Sequence, residues 1–369
     1  MRAGSTIRLV AINIVVGLFM FESSLRIQQM TGPFIDLEYR AESLATGLSE
    51  ELNHVPTAGG SWNRDGIRTM EEPNSAQCSQ SLLFLGDSFM QAVQQMPNGD
   101  IVASHPSDTI PVHVRRFFRE SLGKELCVFN AGYASYSPSI FVPQAKKLIP
   151  LVKPDLVVID VDETDLWDDY YRYRDLVMRD GEGSITAVRP TPVYVQFHNG
   201  LVDSTSKTLF THRLFSKLYF TGIEYPRLLA RYNQRRPNDN LFLAKLPAAE
   251  ARQIHASEIE HFKSTLDDLT RTVVARVGSP QRLIYIHHPH LGHLSTRGVK
   301  FNNVVSEVLR DVASRNNVRY YDATEELRVE FGGSPETYYI PDDVHFNAVG
   351  TRAYGIAVGK YLAHALGDH

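Results

Sequence analysis

The sequence predicts an α/β fold built on a parallel sheet. Three observations carry this. Short uninterrupted apolar runs recur at Leu82–Leu85, Leu126–Phe129, Leu156–Ile159 and Leu283–Ile286, as strands buried on both faces require. Segments of helical period lie between them. The first run ends in Gly86-Asp87-Ser88 and passes into a helical pattern, the strand-to-helix corner where open α/β sheets place their ligands.

In chain order, the N-terminus comes first. Arg2 and Arg8 precede Leu9–Phe21, an apolar run broken only by Asn13 and Gly17. A basic flank and a short apolar core have the form of a secretory signal, but no small-x-small cleavage site follows. Adding Thr6-Ile7 and Leu25-Arg26-Ile27 brings the run near the ~20 residues of a spanning helix, with Glu22 close to the outer interface. The expectation is an uncleaved signal anchor over residues 1–30. Its basic end is cytoplasmic, in a single-pass inner-membrane protein with a periplasmic domain. A buried core helix is the alternative.

Residues 31–77 read as a stalk and lead-in, able to add a hairpin or an edge strand. Cys78 and Cys127 each precede a predicted strand. If those strands are neighbours, one disulfide is possible in an oxidising compartment; two separate buried thiols are the alternative. A helix is expected across Ile110–Ser121, with Val112, Phe117 and Phe118 on its apolar side. Asn130-Ala131-Gly132 turns the chain into a second helix over Pro138–Leu151. Val318–Tyr321 is a fifth strand, and a last helix runs from Ala348 to Ala365. The span between the third and fourth strands is too long for one crossover. Residues from about 170 to 255 therefore form an insertion within the domain 78–369. Helices are expected there around Arg213–Tyr219 and Tyr225–Tyr232, building a substrate wall or lid.

Composition narrows the function. The chain has 369 residues, 43% hydrophobic and 22% charged, enough for one large α/β domain with insertions or two small ones. A net charge of −4 gives no basic signature and argues against a nucleic-acid partner.

Two motifs carry chemistry. Ser88 in the turn after the first strand lies near helix N–H groups that favour developing negative charge. Read alone, Asp87-Ser88 is either a helix cap or a nucleophile site. Near the C-terminus stands Asp342-Asp343-Val344-His345. A carboxylate three residues before a histidine can hold its tautomer and leave the other ring nitrogen to take a serine proton. Asn347 there reads as the cap of the last helix.

Taken together, Gly86-Asp87-Ser88-Phe89 and Asp342-x-x-His345 resemble the first and last blocks of the SGNH (GDSL-like) hydrolases. The resemblance covers roughly residues 80–365 outside the insertion. It implies a flavodoxin-like three-layer α/β/α sandwich, with Ser88 as nucleophile, His345 as base and Asp342 as its orienter. Asp343 is the near neighbour of that orienter. The second block, usually Asn-x-Gly-x-x-Gly, reads Asn130-Ala131-Gly132-Tyr133-Ala134-Ser135, so Ser135 takes the place of an oxyanion-hole glycine. The third, usually Gly-x-Asn-Asp, reads Asp162-Glu163-Thr164-Asp165, and Thr164 replaces the oxyanion-hole asparagine. The resemblance implies a cofactor-free serine esterase of the cell envelope acting on an acylated glycan or other ester. The alternatives are an O-acyltransferase of an exported polysaccharide and a glycan-binding module with a weakened site.

Three further groups stand out. Asp160, Asp162, Glu163, Asp165, Asp168 and Asp169 form an acidic run, half of a calcium loop. The sharp-turn glycine and the ligating glutamate are missing, so the run is expected to position a loop and bond Arg172 or Arg174, with no metal. His287, His288, His290 and His293 match no zinc spacing and are read as a Pro-bounded surface loop, with substrate contact the alternative. Tyr170–Arg174 suits either sugar or anion binding or packing of the insertion.

Overall fold

The apolar runs form five parallel strands: β1 (Gln80–Leu85), β2 (Leu126–Asn130), β3 (Leu156–Val161), β4 (Leu283–His287) and β5 (Arg319–Asp322). This computed structural model describes residues 3–31, 46–56, 62–68, 78–192, 209–224, 256–294 and 303–367, with short pieces between 195 and 230. The chain divides into two units, Met1–Leu48 with Thr191–Pro237, and Ser49–Pro190 with Asn238–His369.

The sheet lies in the second unit. Its order is β5-β4-β3-β1-β2, every pair parallel. This is the flavodoxin-like order 2-1-3-4-5, in which the crossover direction reverses between β1 and β3. Alternate side chains feed two cores, as a pleated strand dictates. Leu83, Leu85, Val157, Ile159, Leu283 and Tyr285 face one layer of helices. Leu82, Phe84, Val158, Ile284 and Ile286 face the other. Helices α4 (Pro138–Val152), α7 (Ala256–Val277) and α8 (Val304–Arg315) cover the first face. Helices α3 (Ile110–Leu122) and α9 (Ala348–Ala365) cover the second. The expected three-layer sandwich is present. Each fully buried aliphatic or aromatic side chain contributes about 1.5–3 kcal/mol by leaving water.

Cys78 and Cys127 are bridged, with Cα atoms 5.4 Å apart across the neighbouring strands β1 and β2. The cross-link spans 49 residues, and restricting the unfolded chain over that length is worth about 4 kcal/mol. The lead-in joins this unit: Leu52 and Ile67 are buried in the core, and Arg68 N–H donates to Asn130 O (2.7 Å) in a bridge beside β2.

In the first unit, α1 (Ala3–Thr31) contains Val10–Thr31, 22 residues, long and apolar enough to cross a membrane. The described part of the insertion divides. Hairpin strands Val177–Arg179 and Ile185–Val188 stay with the sheet unit. Helix α6 (Phe210–Tyr219) belongs to the unit of α1. The helix expected over Tyr225–Tyr232 falls largely outside the described residues.

Candidate active site

The C-terminal ends of β1 and β3 lie side by side at the switch point, and the site is assembled there. Gly86 leaves β1, Asp87 caps the short helix α2 (Ser88–Gln91), and Ser88 is its first residue. Asp87 Oδ1 accepts from Phe89 N–H at 2.8 Å. The cap reading and the nucleophile reading therefore fall on adjacent residues. As the first residue of the helix, Ser88 has an amide with no intrahelical acceptor.

The loop after β2 comes against this helix. A Cβ on Gly132 would meet Met90 Cβ at 2.5 Å and Gln91 N at 2.8 Å, so only glycine allows the approach. Asn130 Nδ2 donates to Met90 O (2.9 Å), and Gln91 Oε1 accepts from Ala134 N–H (2.7 Å). Ser135 follows with φ +64°, the left-handed region that glycine occupies without cost. Tyr173 Oη donates to Ser135 O at 2.5 Å and holds this peptide. Arg68, buried, donates to the carbonyls of Gln91 and Ser104 and fixes the far end of α2. Burial pushes its guanidinium down to about 10.

His345 arrives from the loop before α9. Its Nε2 stands 2.7 Å from Ser88 Oγ. Its Nδ1 bonds Asp343 Oδ1, and that same oxygen accepts from His345 N–H at 2.9 Å. The carboxylate on the imidazole is thus that of Asp343 and not that of Asp342, where the spacing placed it. Asp343 N–H donates to Ile340 O (3.1 Å) in a tight turn that puts Asp342 at φ +62°. Beyond the turn, Asp343 forms an Asx turn, whose carboxylate takes the N–H two residues on and so meets the ring of that residue. Burial favours a neutral Asp343 carboxyl, but the bonds and charge of His345 outweigh it and hold the group below its ordinary value.

Because Nδ1 faces a carboxylate, it carries the proton, and Nε2 offers its lone pair to Ser88. The Ser88 hydroxyl has a second, longer option at Asp87 Oδ2, 3.2 Å away. Burial first, and then the charge of Asp162, push Asp87 up to about 7 against the pull of His288, Phe89 N–H and His345.

These groups border a cavity of about 250 Å³, lined also by Phe89, Ser135, Thr164, Trp167, Asp168, Arg172 and Val344. Ser135 and Thr164 thus reach the site. Thr164 corrects a second expectation: its hydroxyl donates to Asp162 Oδ1 at 2.6 Å, so its hydrogen points into the loop rather than at an oxyanion. Asp162 caps α5 (Glu163–Trp167) through the same oxygen, taking Thr164 N–H (2.8 Å) and Asp165 N–H (3.1 Å). The backbone N–H of Ser135 has no acceptor among the described residues and is the better donor.

The four histidines after β4 are buried, not exposed as a surface loop. They meet the acidic run because β3 and β4 are neighbours. His288 Nδ1 faces Asp160 Oδ1 (3.0 Å), which also accepts from Tyr354 Oη (2.8 Å). Its Nε2 faces Asp162 Oδ2 (3.2 Å), the oxygen that His290 Nε2 approaches to 2.6 Å. His287 lies between Asp322 Oδ1 (3.3 Å) and Glu163 Oε1 (3.1 Å). His293 Nδ1 accepts from His290 N–H (3.0 Å), so its Nε2–H is what meets Glu163 Oε1 at 3.2 Å. Carboxylates on both sides of His287 and of His288 favour the charged form of each ring. Of the acidic run, Asp168 pairs with Arg172 as expected (2.9 Å), whereas Arg174 pairs with Asp175. Asp162, His288 and His290 are the described residues whose donor atoms converge enough to hold a cation. Their separations are those of ion pairs.

This network sets a pH dependence. Burial opposes the charged ring of His287, but Glu163 and Asp322 win and push it up to about 9; His288 is raised for the same reason by Asp160 and Asp162. A raised histidine stabilises the folded state fully below its unfolded value near 6.5, and the gain is lost as pH rises through the folded value. His287→Gln is therefore expected to lower Tm most at pH 6.5 and below. The gap from the parent protein should narrow towards about pH 9, a change on the order of 3 kcal/mol. Thermal unfolding of both proteins across that range checks this, and a constant gap would refute it.

Comparison with known proteins finds distant likenesses only. No family model matches the chain, and no curated protein does. Among solved structures it is similar to a lipase/acylhydrolase from Enterococcus faecalis, 15% identical over 77% of this chain and 96% of that one, with a TM-score of 0.41. A carbohydrate acetylesterase from Sinorhizobium meliloti is 12% identical over 78% and 99%, with a TM-score of 0.36. An aryl esterase from M. smegmatis is 12% identical over 78% and 99%, with a TM-score of 0.37. Likeness at this level carries no inference about activity.

Proposed function

We propose that this chain is a serine ester hydrolase of the SGNH type. The observation that carries the reading is the hydrogen-bonded series Asp343–His345–Ser88 at the mouth of a small cavity. In the proposed reaction Ser88 Oγ attacks the ester carbonyl as its proton passes to His345 Nε2. Asp343 keeps Nδ1 protonated and offsets the imidazolium charge. The oxyanion is received by the backbone N–H groups of Ser88 and Ser135, a hole without the side-chain donor that Thr164 would have supplied. The C–O bond to the leaving group then breaks, and the alkoxide takes the proton from His345. Water, deprotonated by the same nitrogen, releases the acid and frees Ser88.

The reading extends to place and substrate. A disulfide between Cys78 and Cys127 supports an oxidising compartment, and α1 supports an inner-membrane anchor with the sheet unit on the periplasmic side. A cavity of about 250 Å³ suits a short acyl group. An acylated glycan of the envelope is the proposed substrate class. Detergent-solubilised full-length protein should hydrolyse p-nitrophenyl acetate with a burst of one p-nitrophenolate per Ser88, then release acetate. No turnover and no burst would overturn the reading; acetyl transfer to an added glycan without free acetate would replace hydrolysis by transfer.

A further inference from the structure

The sheet unit does not account for α6. Leu209, Phe215, Leu218, Tyr219 and Ile223 are exposed around it; Phe215 keeps 61% and Leu218 52% of its surface. On a helical wheel, Leu218, Phe215, Tyr219 and His212 follow one another on the exposed side, and Arg213 and Lys217 lie on the opposite, partly buried side. No acidic residue occurs from Leu209 to Ile223.

Within its unit, α6 is joined to α1. Glu22 Oε1 accepts from Phe210 N–H (2.9 Å), and Oε2 accepts from Thr211 N–H (2.8 Å) and Thr211 Oγ1 (2.9 Å). The carboxylate also pairs with Arg26 (2.8 Å). Phe210 is buried beneath the guanidinium of Arg26, 4.9 Å from its ring centre. Glu22 is the residue at which the apolar run Leu9–Phe21 ends. That run rises ~20 Å as a helix, against ~30 Å for a bilayer core. Glu22 and Arg26 are the charges that end this uninterrupted apolar run, and α6 starts beside them.

We propose that α6 lies in the outer interface of the membrane that α1 spans, with its Phe215–Leu218–Tyr219 face among the lipid chains and Arg213 and Lys217 towards anionic headgroups. The inference rests on the anchor reading and extends it. A helix with an apolar face, a basic face and no acid has the composition of an interfacial helix. Glu22 would be costly beside hydrocarbon on its own, but here it caps α6 and pairs with Arg26, and α6 brings apolar surface to the end of a short span.

The test uses full-length protein in vesicles of phosphatidylethanolamine and phosphatidylglycerol. Its two cysteines are bridged, so Phe215→Cys, Leu218→Cys and Lys217→Cys variants each offer a single thiol for an environment-sensitive fluorophore. Labels at 215 and 218 should emit at shorter wavelength and be quenched several-fold more by lipids spin-labelled near the headgroup than the label at 217, which iodide should quench. Equal iodide quenching at all three positions, with the protein still in the carbonate-washed membrane, would overturn the inference and leave the anchor standing. Labels at 215 and 218 protected from both quenchers would mean a protein cover and overturn it too. Release of the protein by carbonate would refute the anchor itself, and this inference with it.

Discussion

Ser88→Ala is expected to lower kcat for ester hydrolysis by roughly 10⁶-fold and to abolish labelling by a fluorophosphonate. The loss is large if Asp343, His345 and Ser88 act in series, as proposed: without the hydroxyl, His345 would have no nucleophile to activate. Binding of the ester should survive, since the alanine keeps the backbone N–H that faces the oxyanion. Stability should change by less than about 1 kcal/mol, because Ser88 is only half-buried and the cap of α2 is Asp87, not Ser88. The measurement is active-site labelling and turnover beside a melting curve. A variant that folds and still reacts with the probe would place the nucleophile elsewhere. A parent protein that never reacts would favour a binding module over any enzyme.

The sequence made strands β1 to β4 legible because they are largely buried, so each appears as an apolar run whatever surrounds it. The strand ends came within two residues: Leu82–Leu85 are the last four residues of Gln80–Leu85. Ser88, His345 and the Asn347 cap were legible because each depends on local backbone, a turn or a helix start. The histidines after β4 were not. Whether a histidine is buried depends on what faces it, and their partners Asp160, Asp162 and Glu163 lie more than 120 residues earlier. One signal was present: acids ending the third strand and histidines ending the fourth become neighbours once those strands pair, as Ile286 does with Asp160. The company of α6 was also hidden, since only a long-range contact joins an insertion to Glu22. Arg68 was missed because a lone arginine in a lead-in segment gives no sign that two backbone carbonyls await it.

The orienter is the sharpest case, and it yields the second large effect. Spacing pointed to Asp342, three residues before His345. The backbone decides otherwise, because Asp342 at φ +62° forms the turn and Asp343 follows it with its carboxylate on the ring. Asp343→Asn is expected to lower kcat by about 10⁴-fold with KM little changed. An amide can donate to Nδ1, which lets the imidazole carry its proton on Nε2 and point a hydrogen, not a lone pair, at Ser88. Asp342→Asn should cost no more than a few-fold, since asparagine accepts the left-handed conformation that the turn needs. The inverse ranking would return the role to Asp342 and require the loop from Ile340 to His345 to rearrange in the working enzyme. Combining each change with Ser88→Ala sharpens the comparison. Asp343→Asn should add almost nothing to the loss in kcat already caused by Ser88→Ala, because members of one hydrogen-bonded series are not additive. A further large loss in that double variant would mean that Asp343 acts on the reaction by a route that bypasses His345 and Ser88.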